Sequence, residues 1–257
     1  PEPTVSTVSA SAPARVSSSS VAPPEAPLQS LLDDIVADIT ALYGGTIGIA
    51  VAGADGVTMA GFDAPSPAWS TIKVPIAIAA LRANPGLYAD AQAALTVSDN
   101  DAAARLYDAV GPDAVNQVLA EMGVGAQVNT VLTRPGFSTF GQTMLTTGQE
   151  AVMAGQLACV PGAGDVVALM RQVDASQAYG LGTTGDAAYK GGWGPDEAGM
   201  YTTRQFGLMP RGDGTVAAVA ITALPADGSY GTGQGMLNAA ALALQEQAGL
   251  LPQAACS

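Results

Sequence analysis

Histidine is absent from this 257-residue sequence, and charged residues are scarce at 12%. Without histidine, Ser-His-Asp and Cys-His catalysis are excluded, and the commonest metal ligand is missing. Nine basic residues stand against 22 acidic ones, for a net charge of −13. We therefore expect neither nucleic acid nor an anionic membrane surface as a partner, and no metal or other cofactor. No apolar run reaches about 18 residues, so no transmembrane segment is expected.

Cysteine is almost absent, with only Cys159 and Cys256. Two cysteines are too few for a zinc site or a disulfide-rich scaffold. They could form one bridge that pins the C-terminal tail, if the protein resides in an oxidising compartment. Otherwise they are one buried and one exposed thiol. The sequence leaves both alternatives open.

Lysine is also rare, since Lys73 and Lys190 are the only two in the chain. A GC-rich genome would account for this scarcity without any functional reason. An ammonium group can nevertheless lose its proton and act as a base, which a guanidinium cannot do. Each lysine is therefore a candidate catalytic residue before any motif is considered.

The N-terminal residues 1–27 are rich in Pro, Ser, Ala, Thr and Val. This composition predicts a disordered tether. No basic start followed by an apolar stretch is present, so any signal peptide is expected to have been removed already. Such a tether is typical of an exported protein of the cell envelope or medium, with a possible lipid anchor upstream of residue 1. Residues 28–257 are predicted to form one domain.

Apolar periodicity predicts the architecture of that domain. A first helix from Ser30 precedes two strands, a mostly helical block follows, and three strands and a last helix complete the chain. The predicted strands are Thr46–Ala52, Val57–Phe62, Ala187–Trp193, Arg204–Met209 and Thr215–Ala223. We predict an α/β (α+β) fold: a five-stranded antiparallel sheet flanked by the terminal helices, with an all-helical lobe inserted between strands 2 and 3. Residues 28–69 and 176–257 would form the α/β lobe and residues 70–175 the helical lobe, with a site in the cleft between them.

The stretch around Ser70 and Lys73 is the first catalytic candidate. It is predicted to be a loop that becomes a helix, on which positions i and i+3 share a face. Backbone N–H groups at a helix N-terminus favour a developing negative charge. A nucleophile, a base and oxyanion donors would thus fit within one turn. Taken alone, the spacing also fits an ordinary solvated helix face.

Two later motifs favour a catalytic role for Ser70 and Lys73. Ser98-Asp99-Asn100 stands at the start of a predicted helix, where Ser98 could also be a plain N-cap. Lys190-Gly191-Gly192 lies on a predicted strand at the cleft. The order Ser-x-x-Lys, Ser-Asp-Asn, Lys-x-Gly resembles that of class A β-lactamases and penicillin-binding proteins. Residues 146–154 are similar to the segment after the omega loop of that family, and the resemblance spans about residues 30–250.

The resemblance implies a role for each residue of the motifs. Ser70 would be the acyl-accepting nucleophile and Lys73 its general base. Ser98 would relay a proton to the leaving nitrogen, with Lys190 lowering its pKa and favouring an anionic substrate. Asn100 would bind the substrate amide or hold Lys73 in place.

The strand motif implies the remaining substrate-binding residues. Gly192 and Trp193 would border the substrate, and the backbone N–H of Trp193 would share the oxyanion hole with that of Ser70. Gly191 departs from the family, which has there a hydroxyl that binds a substrate carboxylate. Arg204, on the next strand, either replaces that anchor through a bidentate pair or is a surface arginine at a sheet edge.

The second departure is the glutamate that positions the deacylating water in class A enzymes. No Asp or Glu occurs between Val131 and Gln149. Glu150 is the nearest, and Thr147-x-x-Glu150 predicts a capping box at a helix start. Gln142 could hold a water molecule but is not a base. Deacylation by the class A route is therefore not expected.

Two functions follow from these observations. The leading hypothesis is an exported, monomeric serine hydrolase or acyltransferase that forms an acyl-enzyme at Ser70, with slow or no β-lactam turnover. Its substrate would be a small molecule such as a β-lactam or an ester, or a peptidoglycan-like peptide. The competing hypothesis is a non-catalytic envelope lipoprotein that retains the penicillin-binding fold as a ligand-binding or sensing module.

Overall fold

The computed structural model describes residues 25–256, so most of the predicted tether lies outside the described residues. The first helix begins at Glu25, five residues before the predicted start at Ser30 and within the last residues of that tether. The helices are α1 Glu25–Tyr43, α2 Lys73–Ala83, α3 Tyr88–Thr96, α4 Asn100–Glu121, α5 Thr147–Gln156, α6 Gly164–Met170 and α7 Tyr230–Glu246. The strands are β1 Thr46–Gly53, β2 Gly56–Gly61, β3 Ser66–Pro67, β4 Met144–Leu145, β5 Ala188–Pro195, β6 Tyr201–Pro210 and β7 Val216–Leu224.

The five long strands form one antiparallel sheet in the order β2-β1-β7-β6-β5. This confirms the predicted sheet and the mixed fold class. Helices α1 and α7 pack on one face, and α5 packs on the other. The short strands β3 and β4 pair separately, Ser66 with Leu145 and Pro67 with Met144. They tie the chain just before Ser70 to the chain just before α5.

Each face of the sheet packs against its own hydrophobic core. On β1, Ile47, Ile49 and Val51 pack among α1 and α7, whereas Ala50 and Ala52 pack with the helical lobe. Strand side chains alternate between faces, so each strand contributes to both cores. The face towards the helical core combines alanines of β1 and β7 with the larger Phe206 and Leu208 of β6, and β5 at the sheet edge borders the cleft.

Helix α2 is the centre of the helical lobe. Every residue from Lys73 to Leu81 is buried, so the helix has no solvated face. A helix that is apolar all round belongs in a core. This excludes the ordinary reading of Ser70 and Lys73 as a surface pair. Within residues 25–256, no helix is both long enough and apolar enough to cross a membrane.

A disulfide joins Cys159 to Cys256, which decides between the two alternatives left open by the sequence. The bridge follows α5 and holds the C-terminal tail. Backbone hydrogen bonds from Ala254 to Val216 and from Cys256 to Gly155 attach the same tail to β7 and α5. The bridge thus closes a loop, with a sequence separation of 97, that contains three of the five strands of the sheet.

Replacing both cysteines by serine should lower the free energy of unfolding by about 2–5 kcal/mol, because the unfolded chain regains the freedom of a long loop. Urea titration of the oxidised protein and of the Cys159→Ser/Cys256→Ser variant measures the difference. Reductant should weaken only the parent protein. Equal stabilities with and without the bridge would contradict the expectation.

Candidate active site

Ser70 lies on a short turn that feeds into α2. Residues Trp69–Ile72 form a 3-10 turn and α2 starts at Lys73, three residues later than the predicted helix start. Trp69 has a φ of 52°, in the left-handed region that side chains rarely adopt. Ser98 shares this conformation, with a φ of 59°. Such residues cost about 1–3 kcal/mol each and persist only where their surroundings hold them, typically at functional sites.

The two lysines of the chain converge on Ser98. Lys73 Nζ donates to Ser98 O at 2.6 Å, Ser98 Oγ at 3.2 Å and Asn100 Oδ1 at 2.7 Å. Lys190 Nζ donates to Ser98 Oγ at 3.1 Å and Gly191 O at 2.9 Å. The N-cap of α4 is Asp99, which accepts from Ala102, so Ser98 is free of the capping role considered above.

Burial lowers the pKa of both lysines. It lowers the pKa of Lys73 to about 8, although the negative charge of Asp99 acts in the opposite direction. Burial also lowers the pKa of Lys190 well below its ordinary value, and the positive charge of Lys73 adds to this effect. A buried ammonium without a carboxylate partner is unfavourable, which promotes the neutral amine. Two potential bases therefore meet at one hydroxyl.

A cavity of about 350 Å³ opens over this group. It is lined by Trp69, Ser70, Lys73, Ser98, Asn100, Gly136, Phe137, Ser138, Gly141, Trp193, Gly194, Pro195 and Tyr201. The structure thus brings Ser70, Lys73, Ser98, Asn100 and Trp193 to one space. Within the described chain, the Ser70 hydroxyl has no hydrogen bond, and Lys73 points instead to Ser98 and Asn100.

Strand β5 passes very close to the nucleophile. A side chain at Gly192 would place its Cβ 2.6 Å from Ala68 O and 2.9 Å from Ser70 N. Real Cβ atoms do not approach backbone this closely, so only glycine allows the strand to pass here. Trp193, the next residue, is thereby held beside Ser70. Among residues 25–256, no group of His, Cys, Asp or Glu could hold a metal ion.

Gln142 holds together the loop of residues 133–142, which borders the cavity. Its Oε1 accepts hydrogen bonds from the Thr133 hydroxyl and the Arg134 amide, and its Nε2 donates to carbonyls of Arg134, Phe137 and Ser138. The amide is buried and fully engaged, so the expectation that it could hold a water molecule is wrong. No carboxylate lines the cavity within the described residues.

Three residues at the site have no counterpart among the sequence candidates: Arg134, Phe137 and Tyr201. Arg134 donates to the carbonyls of Pro195 and Asp196, and its guanidinium lies 4.7 Å from the Phe137 ring centroid. It fastens the loop to the end of β5. Aromatic residues make up only 5% of the chain, and this scarcity is the one signal that could have marked Phe137 and Tyr201.

Comparison with known proteins identifies the fold. No protein-family model matches the sequence, and no curated protein matches it. Solved structures do match. A β-lactamase from Chitinophaga pinensis is 15% identical with a TM-score of 0.69, over 84% of this chain and 98% of that one. A class A β-lactamase from Mycobacterium abscessus is 16% identical with a TM-score of 0.68, over 85% and 99%. The chain has the class A β-lactamase fold.

A third β-lactamase, from Sphaerobacter thermophilus, is 19% identical with a TM-score of 0.64, over 87% of this chain and 98% of that one. The agreement covers nearly the whole of each relative, so the β-lactamase fold is present without a missing lobe. It also confirms the serine β-lactamase and transpeptidase resemblance that the three motifs indicated.

Within this β-lactamase fold, Arg204 is neither a substrate anchor nor a surface arginine. Its side chain is 0% exposed and pairs with the equally buried Glu150 at 2.9 Å. It also donates to the Ser66 and Pro67 carbonyls and to the Ser66 hydroxyl. Both sequence expectations required an accessible guanidinium, so both are wrong. Arg204 instead holds the chain that leads to Ser70.

Glu150 also differs from its predicted role. The capping box of α5 is formed by Thr146 and Gln149, one position earlier than predicted. Glu150 accepts from the Thr71 hydroxyl at 2.5 Å, next to the nucleophile. Burial raises the pKa of its carboxyl, while Arg204 and the Thr71 hydrogen bond oppose that change. Glu150 lies in the core and does not line the cavity.

Replacing Glu150 by Gln should lower the free energy of unfolding by about 3–5 kcal/mol, because it leaves the buried Arg204 charge unpaired. The double variant Glu150→Gln/Arg204→Met should be less destabilised than the sum of the single variants, since the two side chains are coupled. Denaturant titration of all variants measures both quantities.

The matched control is Arg105→Ala, which removes an exposed ion pair with Asp90. That variant should change stability by only about 0–1 kcal/mol. A Glu150→Gln cost as small as that of the control would contradict a structural role for the buried pair.

Proposed function

We propose that this chain is an exported serine hydrolase or acyltransferase that forms an acyl-enzyme at Ser70. The observation that carries the proposal is the convergence of both lysines on Ser98, in the cavity that Ser70 lines. Without histidine, the amines of Lys73 and Lys190 and the hydroxyls of Ser70 and Ser98 are the groups that we assign to proton transfer. The β-lactamase fold supports a serine hydrolase type of function.

The attack on a carbonyl begins with Lys73. Its neutral amine takes the proton from the Ser70 hydroxyl, after Nζ turns from Asn100 towards Ser70 within the shared cavity. Catalytic hydrogen bonds are often loose in a free enzyme and tighten when substrate binds. The Ser70 oxygen then bonds to the carbonyl carbon, and the backbone N–H groups of Ser70 and Trp193 stabilise the oxyanion.

Collapse of the tetrahedral intermediate requires a proton for the leaving group. Ser98 Oγ lies within hydrogen-bond distance of both amines, at 3.2 Å from Lys73 and 3.1 Å from Lys190. Ser98 gives its proton to the leaving nitrogen or oxygen as the bond to the acyl carbon breaks. It regains a proton from the lysine that received the Ser70 proton, which restores the starting charge. Asn100 positions Lys73 through the 2.7 Å hydrogen bond.

Hydrolysis of the acyl-enzyme needs an activated water molecule. The cavity offers no carboxylate within the described residues, and Gln142 is engaged in the loop. Among the described residues that line the cavity, Lys73 is the only amine or carboxylate, so it must serve attack and deacylation alike. We therefore propose slow or absent β-lactam turnover, with a small molecule or a peptidoglycan-like peptide as the natural acyl donor.

A non-catalytic ligand-binding module of the cell envelope is the second candidate. It is favoured by the absence, within the described chain, of any hydrogen bond to the Ser70 hydroxyl. On this reading the cavity would bind its ligand reversibly, and the lysines would be polar lining. An acylation experiment separates the two functions.

Export is supported by the disulfide between Cys159 and Cys256, which requires an oxidising compartment. We propose location in the cell envelope or medium, with the residues before Glu25, where α1 begins, as the tether and a lipid anchor as its attachment. A single domain from Glu25 onwards, acting as a monomer, is part of the same proposal.

Incubation with a fluorescent penicillin or an active ester should add one acyl group to Ser70, detected by intact mass and peptide mapping. The adduct should persist for much longer than the time needed to form it, because water activation is weak. Ser70→Ala should show no adduct. If neither reagent modifies Ser70, the proposed acylation fails and the non-catalytic binding module is favoured. Rapid nitrocefin hydrolysis that requires Ser70 would contradict slow deacylation.

Acylation should speed up as pH rises, because the neutral form of Lys73 is the base. With a pKa of about 8, that form rises from about 9% at pH 7 to about 91% at pH 9. The second-order acylation rate constant should therefore increase about tenfold between these values. The matched variant Lys73→Arg cannot lose its proton and should acylate at least 100-fold more slowly. A flat profile from pH 6.5 to 9.5 would contradict this assignment of the base.

A further inference from the structure

We propose that the acyl donor is uncharged and presents a flat apolar group, such as an arylacetyl ester, to the cavity. This inference rests on the proposed acylation at Ser70 and names the substrate class of the same site. It differs from the resemblance, which implies an anionic substrate. It is supported by the aromatic rings that line the cavity and by the ion pairs and hydrogen bonds that engage every cationic side chain in the described structure.

Aromatic rings form much of the cavity wall. Trp69, Phe137, Trp193 and Tyr201 all line it. The rings of Trp69 and Phe137 are in contact at 5.2 Å, and Trp193 stacks on Tyr230 at 5.2 Å with an angle of 25°. Rings held by other rings offer rigid apolar surface at little entropic cost to binding. Such a wall favours a planar apolar group.

The two arginines closest to the cavity are not available to a substrate carboxylate. Arg204 is buried with its guanidinium engaged by Glu150, Ser66 and Pro67. Arg134 gives its N–H groups to the carbonyls of Pro195 and Asp196 and lies over rings of the wall. Neither residue lines the cavity.

The other described arginines are also paired, and all lie away from the cavity lining. Their ion-pair partners are Glu121 for Arg82, Asp90 for Arg105, Asp186 for Arg171 and Asp213 for Arg211. Of the nine basic residues in the sequence, only Arg15 lies outside the described residues. The two lysines are therefore the cations that the described cavity can offer.

Those lysines already have partners in the site, and burial disfavours their charged forms. Burial lowers the pKa of Lys73 to about 8, and burial and the positive charge of Lys73 lower the pKa of Lys190 well below its ordinary value. Lys190 is buried, and its hydrogen bonds go to Ser98 and to the Gly191 carbonyl. If Lys73 is to act as a neutral base, its charge is not available to hold a carboxylate.

The face of β5 at Gly191 is neutral as well. A Cβ at Gly191 would lie 3.3 Å from the Tyr179 hydroxyl. Tyr179 accepts a hydrogen bond from the Tyr230 hydroxyl at 3.1 Å, and burial raises the pKa of both groups. Two un-ionised phenols thus occupy the side of β5 that faces away from Lys190. An anion placed there would lose water without gaining a counter-charge.

Two esters of equal size test the charge preference. The p-nitrophenyl esters of 4-carbamoylphenylacetic and 4-carboxyphenylacetic acid differ only in charge, and the carboxylate is too far from the ester to attack it. The carbamoyl ester should acylate Ser70 at least ten times faster at pH 8, measured as the nitrophenolate burst and checked by intact mass. Equal rates, or faster reaction of the carboxylate, would overturn the proposal.

A second pair of esters tests the preference for a flat apolar acyl group. The p-nitrophenyl esters of phenylacetate and acetate should differ at least tenfold in favour of phenylacetate, after division by their rates with hydroxide. Equal corrected rates would overturn the flat apolar part of the proposal.

A variant that introduces a charge tests whether the substrate binds at this aromatic wall. Tyr201→Arg places a cation in the wall and should reduce the carbamoyl-to-carboxyl ratio at least fivefold. The matched variant Tyr201→Phe keeps the ring and should leave that ratio unchanged. An unaltered ratio in Tyr201→Arg would overturn the assignment of the substrate to this wall. If no ester modifies Ser70 at all, the proposed acylation itself fails, which is a separate outcome from equal modification by both esters.

Discussion

The buried ion pair between Arg204 and Glu150 fixes the site to the rest of the molecule. It joins β6 to α5, with both side chains 0% exposed. Arg204 also binds the β3 carbonyls, and Glu150 accepts from Thr71. Ser70 lies between these two attachments. A buried pair is often no more stabilising than apolar residues would be, so its value here lies in specifying one arrangement of the chain around the nucleophile.

The electrostatics of the cavity follow from the hydrogen bonds of the two lysines, none of which goes to a carboxylate within the described residues. A carboxylate within hydrogen-bond distance would favour the ammonium form and raise the pKa of Lys73. The acceptors it has instead are neutral: a carbonyl and a hydroxyl of Ser98 and an amide of Asn100. Burial then decides the outcome and lowers the pKa of Lys73 to about 8. The feature that weakens water activation is thus the same feature that keeps the attacking base usable near neutral pH.

The sequence predicted the sheet and five co-located site residues because both depend on local signals. Strand alternation and the short motifs can both be read within a few residues. The role of Arg204 was not readable, since its partner Glu150 is 54 positions away and the pair is made only by packing. The same holds for Gln142, whose five contacts depend on how its loop folds back on itself. Capping was misplaced by one residue because Thr146 and Thr147 offer equivalent hydroxyls, and tertiary contacts of Thr147 with Phe62 and Thr222 decide between them.

The loop that covers the cavity explains why attack and hydrolysis are separable in this fold. Gln142 closes the loop on itself, and Arg134 fastens it to β5, so its Phe137 ring stands against Trp69. A loop arranged in this way presents an apolar ring, backbone and the Ser138 hydroxyl to the cavity, and none of its described residues in the lining is a carboxylate. Exclusion of water strengthens electrostatic interactions and protects an acyl intermediate from hydrolysis. The aromatic wall and the long-lived acyl-enzyme that we propose would therefore both be consequences of one loop structure, and a change that admits water there should affect both.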